Sequence, residues 1–177
     1  ENIDPDNDGS QYAWGENVGW INFQPSLGPG VTVTDSTVEG YAWGENIGWI
    51  NLNPTNGGVV NDGTGNLSGY AWGENVGWIS FSCENCSSCG TVDYGVIIDP
   101  VTGEFSGQAW GENIGWVSFR SKGSVPFGVT TSWPEDMCEG DFDNDGDVDG
   151  ADLAALITSG ATNMDIFAEN FGRVNCP

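Results

Sequence analysis

The chain has 177 residues, of which 26 are Asp or Glu and only three are Lys or Arg, so its formal net charge is -23. Nucleic acids and anionic membrane surfaces attract proteins through basic side chains, so this charge excludes both as partners. No apolar run approaches the ~20 residues that span a bilayer, which excludes membrane insertion. Divalent cations are the expected counter-charge, and because the chain begins at Glu1 without Met we expect that a secretory leader was removed.

The first acidic cluster is DPDNDG at 4–9. Asp4, Asp6 and Asp8 stand before Gly9 with the spacing that begins a calcium loop, although position twelve of such a loop would be Gly15. We retain these three residues as a possible metal site that Glu16 or a neighbouring chain would complete.

One ten-residue segment then recurs four times. The copies are YAWGENVGWI at 12–21, YAWGENIGWI at 41–50, YAWGENVGWI at 70–79 and QAWGENIGWV at 108–117. Aromatic and β-branched residues favour strands, and the glycines and Asn of G-E-N-[VI]-G are typical of a tight turn. The sequence predicts a mostly β fold of antiparallel β-hairpin repeats, with hairpins near 12–23, 41–52, 70–81 and 108–119.

A β-branched run precedes three of the hairpins, at 31–34, 59–61 and 95–98, and is predicted to form a third strand in each unit. The first hairpin has no such run before it, only ENIDPDNDGSQ. We therefore expect either an open edge, which invites pairing with another copy of the chain, or a cap formed by residues 1–11.

The aromatic residues of the repeat share one face. In Y-A-W, Tyr41 and Trp43 lie on one side of the strand and Ala42 on the other. A buried aromatic side chain removes ~150–250 Å² from water, so we expect Trp pairs such as Trp43 and Trp49 to pack in the core. The alternative is a surface platform on which sugar rings stack.

Each turn carries one Glu and one Asn at equivalent positions. These are Glu16, Glu45, Glu74 and Glu112, with Asn17, Asn46, Asn75 and Asn113. The favoured interpretation is that both side chains cap their turn by accepting hydrogen bonds from nearby backbone N–H groups. The alternative is four equivalent ligand sites, for a cation or for sugar hydroxyls.

The insertion SCENCSSCG interrupts the repeat pattern and contains Cys83, Cys86 and Cys89. The chain has no His, so neither a zinc site nor a c-type haem has its usual ligands. We predict one local disulfide and one odd thiol, which could bridge to another molecule. Such cysteine use indicates an oxidising, extracellular location.

The segment DFDNDGDVDGAD at 141–152 matches a calcium-binding loop. Its ligand positions one, three, five, seven, nine and twelve are Asp141, Asp143, Asp145, Asp147 through its carbonyl, Asp149 and Asp152. LAALI at 153–157 is predicted to form the exiting helix. Cys138 and Cys176 bracket this module, and a disulfide between them would stabilise it by very roughly 4 kcal/mol.

Two resemblances follow from these motifs. The consensus G-Y-A-W-G-E-N-[VI]-G-W-I-[NS]-F resembles repeats of secreted and surface-anchored bacterial proteins. The frame MCEGDFDNDGDVDGADL … IFAENFGRVNCP resembles the calcium half of a type I dockerin, with one calcium loop where a dockerin has two. The resemblance implies calcium binding and a location outside the cell.

The sequence thus predicts a four-repeat β domain at 1–133 and a calcium-binding helical module at 134–177. Without His, the usual catalytic base is absent, and we expect no enzymatic activity. The predicted function is a secreted structural protein of the bacterial surface that assembles with copies of itself into a calcium-stabilised fibre or layer. The alternative is a multivalent carbohydrate-binding or adhesive module.

Overall fold

The computed structural model describes residues 1–121, 123, 126–134, 140, 142, 147–159, 164, 167–168 and 171–172. The chain divides into two compact units, Glu1–Trp133 and Pro134–Pro177. The strands are β1 (Tyr12–Gly15), β2 (Gly19–Asn22), β3 (Val31–Val33), β4 (Thr37–Gly44), β5 (Gly48–Asn51), β6 (Gly58–Asn61), β7 (Asn66–Gly73), β8 (Gly77–Ser80), β9 (Val96–Ile98), β10 (Phe105–Gly111) and β11 (Gly115–Ser118). A short 3-10 helix spans Cys83–Cys86, and α1 spans Gly150–Ser159.

The first unit is a closed antiparallel barrel of eight strands. Its hairpins are β1–β2, β4–β5, β7–β8 and β10–β11, one from each copy of the repeat. Neighbouring hairpins pair through β2–β4, β5–β7, β8–β10 and β11–β1, and the last of these pairings closes the ring. The mostly β class and the four hairpins predicted from the sequence are confirmed, and the repeats form a barrel.

The inside of the barrel is filled by the Ala face of the repeat. Ala13, Ala42, Ala71 and Ala109 are fully buried, and they pair across each hairpin with Ile21, Ile50, Ile79 and Val117. An eight-stranded barrel has an interior just wide enough for side chains to fill, and a small residue opposite a larger one suits that width. The expectation that the Trp pairs form the core is wrong, because the ring-bearing face lies outside the barrel.

The turns close one end of the barrel. The [VI] residue of each turn is buried: Val18, Ile47, Val76 and Ile114. A Cβ added at Gly15 would lie 2.4 Å from the Val18 side chain, and one at Gly44 would lie 2.6 Å from that of Ile47. The first glycine of G-E-N-[VI]-G therefore leaves space for the buried Val or Ile side chain of the turn. The second glycine has a positive φ, for example +79° at Gly19, which glycine adopts at little cost.

The third strands surround the opposite end of the barrel. Strand β3 pairs with β4, β6 pairs with β4 and β7, and β9 pairs with β7 and β10. All three are the β-branched runs that the sequence predicts as strands. Each contains a fully or almost fully buried Val, at Val31, Val59 and Val96.

The missing strand of the first repeat comes from the other end of the same domain. Residues 128–131 form bridges to Gln11, through Val129, and to Glu104, through Thr130. The N–H of Phe105 donates to the carbonyl of Val129 at 2.9 Å, and the Val129 side chain is fully buried. The edge of the first hairpin is thus paired within the chain, by residues 128–131 rather than by a cap of residues 1–11 alone.

The second unit is described in part. Helix α1 includes the predicted LAALI segment, and its Leu156 packs in a small cluster with Val148 and Phe167. Phe142 and Leu153 lie against this cluster and are partly buried. The predicted disulfide between Cys138 and Cys176 lies outside the described residues.

Candidate ligand-binding surface

Eight of the nine Trp residues form four pairs on the outside of the barrel. The pairs are Trp14–Trp20, Trp43–Trp49, Trp72–Trp78 and Trp110–Trp116, with ring centroids 4.6 to 4.9 Å apart. Six of these rings are 36–44% exposed, and Trp49 and Trp116 are half-buried. Ring faces on the solvent side of strands are available to a ligand in a way that core rings are not.

Each connection between hairpins packs against the second Trp of the next hairpin. Tyr94 lies 5.3 Å from Trp116, and Phe127 lies 5.3 Å from Trp20, measured between ring centroids. At Trp49 the backbone of Gly28 takes this place, where an added Cβ would lie 2.9 Å from the ring. The connections therefore fix the orientation of the second ring. All four first rings are exposed, whereas among the second rings Trp49 and Trp116 are half-buried.

Two grooves run between adjacent hairpins and have equivalent walls. The groove between the first and second hairpins, about 480 Å³, is lined by Trp20, Trp43, Tyr12, Phe127 and Glu45 among others. The groove between the third and fourth hairpins, about 780 Å³, is lined at matching positions by Trp78, Trp110, Tyr70 and Glu112, and Tyr94 adds a ring from a different connection. In both grooves the Glu of the following turn accompanies rings from two hairpins.

The turn glutamates are exposed. Glu16, Glu45, Glu74 and Glu112 all face solvent, and within the described part of the chain none of their carboxylates makes a hydrogen bond. The prediction that these carboxylates cap their own turns is wrong. Their oxygens are instead free to accept hydrogen bonds from a ligand.

The turn asparagines have a structural function that the sequence analysis did not assign. Each donates its side-chain N–H to a backbone carbonyl in the preceding turn around the ring, at 2.9 to 3.1 Å. The four bonds are Asn17 to Ile114, Asn46 to Val18, Asn75 to Ile47 and Asn113 to Val76. They form a closed circle at the end of the barrel, so Asn is required to join turns to each other, not to cap its own.

A network of hydrogen bonds between polar groups holds one end of the larger groove in place. The Tyr94 hydroxyl donates to the Ser80 hydroxyl at 2.9 Å, and the Asn85 amide N–H also donates to Ser80 at 2.8 Å. Burial raises the pKa of Tyr94, so this phenol stays protonated well above neutral pH. The Tyr70 hydroxyl donates to the carbonyl of Asn85, which holds the insertion against the third hairpin.

The cysteines of the insertion behave as predicted. Cys83 and Cys89 form a disulfide, with their Cα atoms 4.9 Å apart, and Cys86 is free and exposed. Cys86 also lines the larger groove, and its Sγ lies 3.2 Å from the Ser88 hydroxyl. One local disulfide and one odd thiol are therefore confirmed.

The N-terminal acidic cluster is organised around Asp4. Its buried carboxylate accepts hydrogen bonds from the backbone N–H groups of Asp8 and Gly9 and from the Ser10 hydroxyl, at 3.0 to 3.2 Å. Asp6 and Asp8 are exposed, and these three carboxylates do not form one of the close acidic groups found among the described residues. Asp4 stabilises the loop, and a metal site at Asp4, Asp6 and Asp8 stays a prediction.

The second unit brings three acidic residues of the predicted calcium loop together. One carboxylate oxygen from each of Asp147, Asp149 and Asp152 lies within 4.8 Å of the others. Asp152 is fully buried and accepts the backbone N–H groups of Phe142 and Asp149, while Asp149 accepts that of Ala151. Carboxylate oxygens are the hard ligands that calcium prefers, and these three lie together at the start of α1. Asp141, Asp143 and Asp145 lie outside the described residues.

Comparison with protein-family models, with curated proteins and with solved structures finds no match for this chain. The repeat and dockerin resemblances therefore stay predictions. No helix in the described part of the chain is both long enough and apolar enough to cross a membrane. The fold and its surface define the molecule as a four-repeat β-barrel with aromatic pairs on its outer face.

Two groups of functional residues were not predicted from the sequence. Tyr94 and Phe127 stand in irregular connections, where no periodicity marks them as groove walls. The bridging segment at 128–131 did have a signal: Gly128-Val129 repeats the Gly-Val at the start of the third strand at 30–31, 58–59 and 95–96. The segment that takes the place of a third strand in the first repeat is thus at the end of the domain and not at its start.

Proposed function

We propose that this chain is a non-catalytic, secreted glycan-binding protein whose barrel displays four tryptophan pairs. The observation that carries this proposal is the exposure of the Trp pairs beside exposed carboxylates. Sugar rings have apolar faces that stack on aromatic rings and hydroxyl groups that donate to carboxylates, and the two grooves offer both kinds of group. Repetition around the barrel would give several weak sites on one molecule, which raises overall avidity.

An open groove suits a polymer better than a small molecule. The two grooves lie on the outer surface between hairpins, so a chain of sugar units could enter and leave along them. Barrel closure and the ring of Asn hydrogen bonds fix the rings before a ligand arrives, which lowers the entropy cost of binding. The Cys83–Cys89 disulfide supports a location in an oxidising, extracellular compartment.

A glycan array with the labelled full chain tests this proposal. The informative variant is Trp43→Ala/Trp110→Ala, which removes one ring from each groove. The matched control is Leu27→Ala/Val101→Ala, which removes exposed apolar side chains outside both grooves. We expect binding that the Trp variant loses and the control retains, while the upfield methyl signals in the proton NMR spectrum show that both are folded. Equal binding by both variants would contradict the proposal.

We also propose that calcium stabilises the second unit through the predicted loop. The cluster of Asp147, Asp149 and Asp152 oxygens supports this proposal, and the ion would neutralise charge that otherwise repels. Calcium titration of the full chain, with Asp152→Asn as the variant and Asp99→Asn as a control of equal charge change, tests it. Unchanged calcium affinity in Asp152→Asn would refute it.

Self-assembly into a fibre or surface layer is the second candidate. Its original basis, an open edge at the first hairpin, no longer holds, because residues 128–131 pair there. The observation in its favour is now the aromatic surface, since exposed apolar patches also mark contacts between proteins. Negative-stain electron microscopy with millimolar calcium and with excess chelator tests it. Monodisperse particles in both conditions would rule it out.

A further inference from the structure

The two grooves combine aromatic walls with one negative charge. Each has rings from two neighbouring hairpins, one additional ring from a connection (Phe127 or Tyr94), and the Glu from the turn of its second hairpin: Glu45 in one groove and Glu112 in the other. Neither groove is lined by Lys or Arg in the described part of the chain. Aromatic faces attract cations through their quadrupole, and a carboxylate attracts the same cation directly.

The net charge of the whole chain also favours a positively charged ligand. At a net charge of -23 the surface repels acidic glycans such as those containing uronate or sulfate. Arg120, the basic residue described within the barrel unit, is already paired with Glu104, with Nη1 and Oε1 3.1 Å apart. A neutral sugar would stack on the aromatic rings but would not be attracted by the negative charge. A protonated amino sugar would interact with both.

We propose that the grooves bind glycans of unacetylated amino sugars, with the ligand's ammonium groups placed between the tryptophan rings and the carboxylates of Glu45 and Glu112. This inference rests on the glycan-binding function proposed above and names its ligand class. The occupant is thus a polymer that carries a positive charge on its sugar rings, such as a glucosamine chain.

Two hexamers of the same backbone test this inference. Isothermal titration calorimetry of the full chain compares a hexamer of glucosamine with a hexamer of N-acetylglucosamine, in weakly acidic buffer in which the glucosamine amines are protonated. We expect the glucosamine hexamer to bind roughly tenfold more tightly. The variant Glu45→Gln/Glu112→Gln keeps both side-chain shapes, and in it the ratio of the two affinities should fall towards one.

The control separates the grooves from general attraction to a negative protein. Glu39→Gln/Glu84→Gln removes the same two charges from exposed positions outside both grooves and should keep the tenfold ratio. If the ratio of the two affinities fell equally in both double variants, the inference would be overturned in favour of non-specific charge attraction. Equal binding of the two hexamers by the unmodified chain would also overturn it but would support the proposed glycan binding. Absence of binding by both hexamers would count against the proposed function itself.

Discussion

Pairing of residues 128–131 with the segments beside the first and last hairpins makes a quantitative prediction for Val129→Ala. The Val129 side chain is fully buried, so the substitution removes two methyl groups from the core. At ~0.8 kcal/mol for each buried carbon the transfer cost is about 1.6 kcal/mol, and the cavity left behind adds to it. We expect the free energy of unfolding of the barrel to fall by about 2 to 3 kcal/mol.

Urea unfolding followed by tryptophan fluorescence measures this change. All nine Trp residues lie in the Glu1–Trp133 unit, so the signal reports the barrel and not the second unit. The matched control is Val101→Ala at a side chain that is 73% exposed, for which we expect a change within about 0.5 kcal/mol. Equal effects at the two positions would refute the pairing of residues 128–131 within the barrel unit.

The same experiment at several protein concentrations separates pairing of residues 128–131 within one chain from exchange of this segment between chains. When residues 128–131 pair within their own chain, the urea midpoint does not depend on protein concentration. Exchange of this segment between copies would make the midpoint rise with concentration, because assembly then contributes to stability.

Three further predictions concern individual side chains. Asn46→Ala should lower the free energy of unfolding by about 0.5 to 1.5 kcal/mol through loss of its bond to Val18, whereas the neighbouring Glu45→Ala should leave it nearly unchanged in the same urea assay. Iodoacetamide on the unreduced protein should label Cys86, and peptide mass spectrometry that finds it unlabelled would contradict a free thiol. Hydrogen bonds from Asn66 and Thr64 lower the pKa of Asp62 to about 2. Their stabilising effect is therefore complete above ~3.9, the pKa of Asp in the unfolded chain, and is lost as the pH falls through about 2. In an NMR titration Asn66→Ala should raise this pKa towards ~3.9, and an unchanged value would contradict the assignment.

The local structure could be predicted because the same hairpin pattern occurs in all four copies of the repeat. The turn chemistry of G-E-N-[VI]-G and the strand residues on either side of it define each hairpin without reference to the rest of the chain. The β-branched third strands were predictable for the same reason. A cysteine count and the absence of His sufficed to predict one local disulfide and a free thiol.

The choice of inner face could not be predicted from alternation. Period-two patterning states that Ala42 and Trp43 lie on opposite faces, but not which face is enclosed. Residue hydrophobicity favours Trp inside, yet the closed ring of eight strands has room for Ala opposite Ile and not for paired indoles. Closure is a property of all four hairpins together, and no single repeat indicates it.

The candidate site was incomplete in the sequence for a related reason. Glu45 and Trp43 are adjacent in one repeat, but each groove also contains a ring from the preceding hairpin and one from a connection. Residues as distant as Trp20 and Phe127 meet only because the last hairpin pairs with the first. The asparagines show the same effect, since Asn17 donates to Ile114 across 97 positions of sequence.

Indole N–H signals in a proton–nitrogen NMR spectrum test the central claim most directly. The full chain has nine such signals, eight from the four Trp pairs and one from Trp133, which is buried and donates its indole N–H to Asp35 at 2.9 Å. During titration with the glucosamine hexamer, and in parallel with the N-acetylglucosamine hexamer, we expect signals of the paired Trp residues to shift with at least one ligand while that of Trp133, identified by Trp133→Phe, stays in place. No shift of any paired indole with either hexamer at millimolar concentration would contradict glycan binding by this surface.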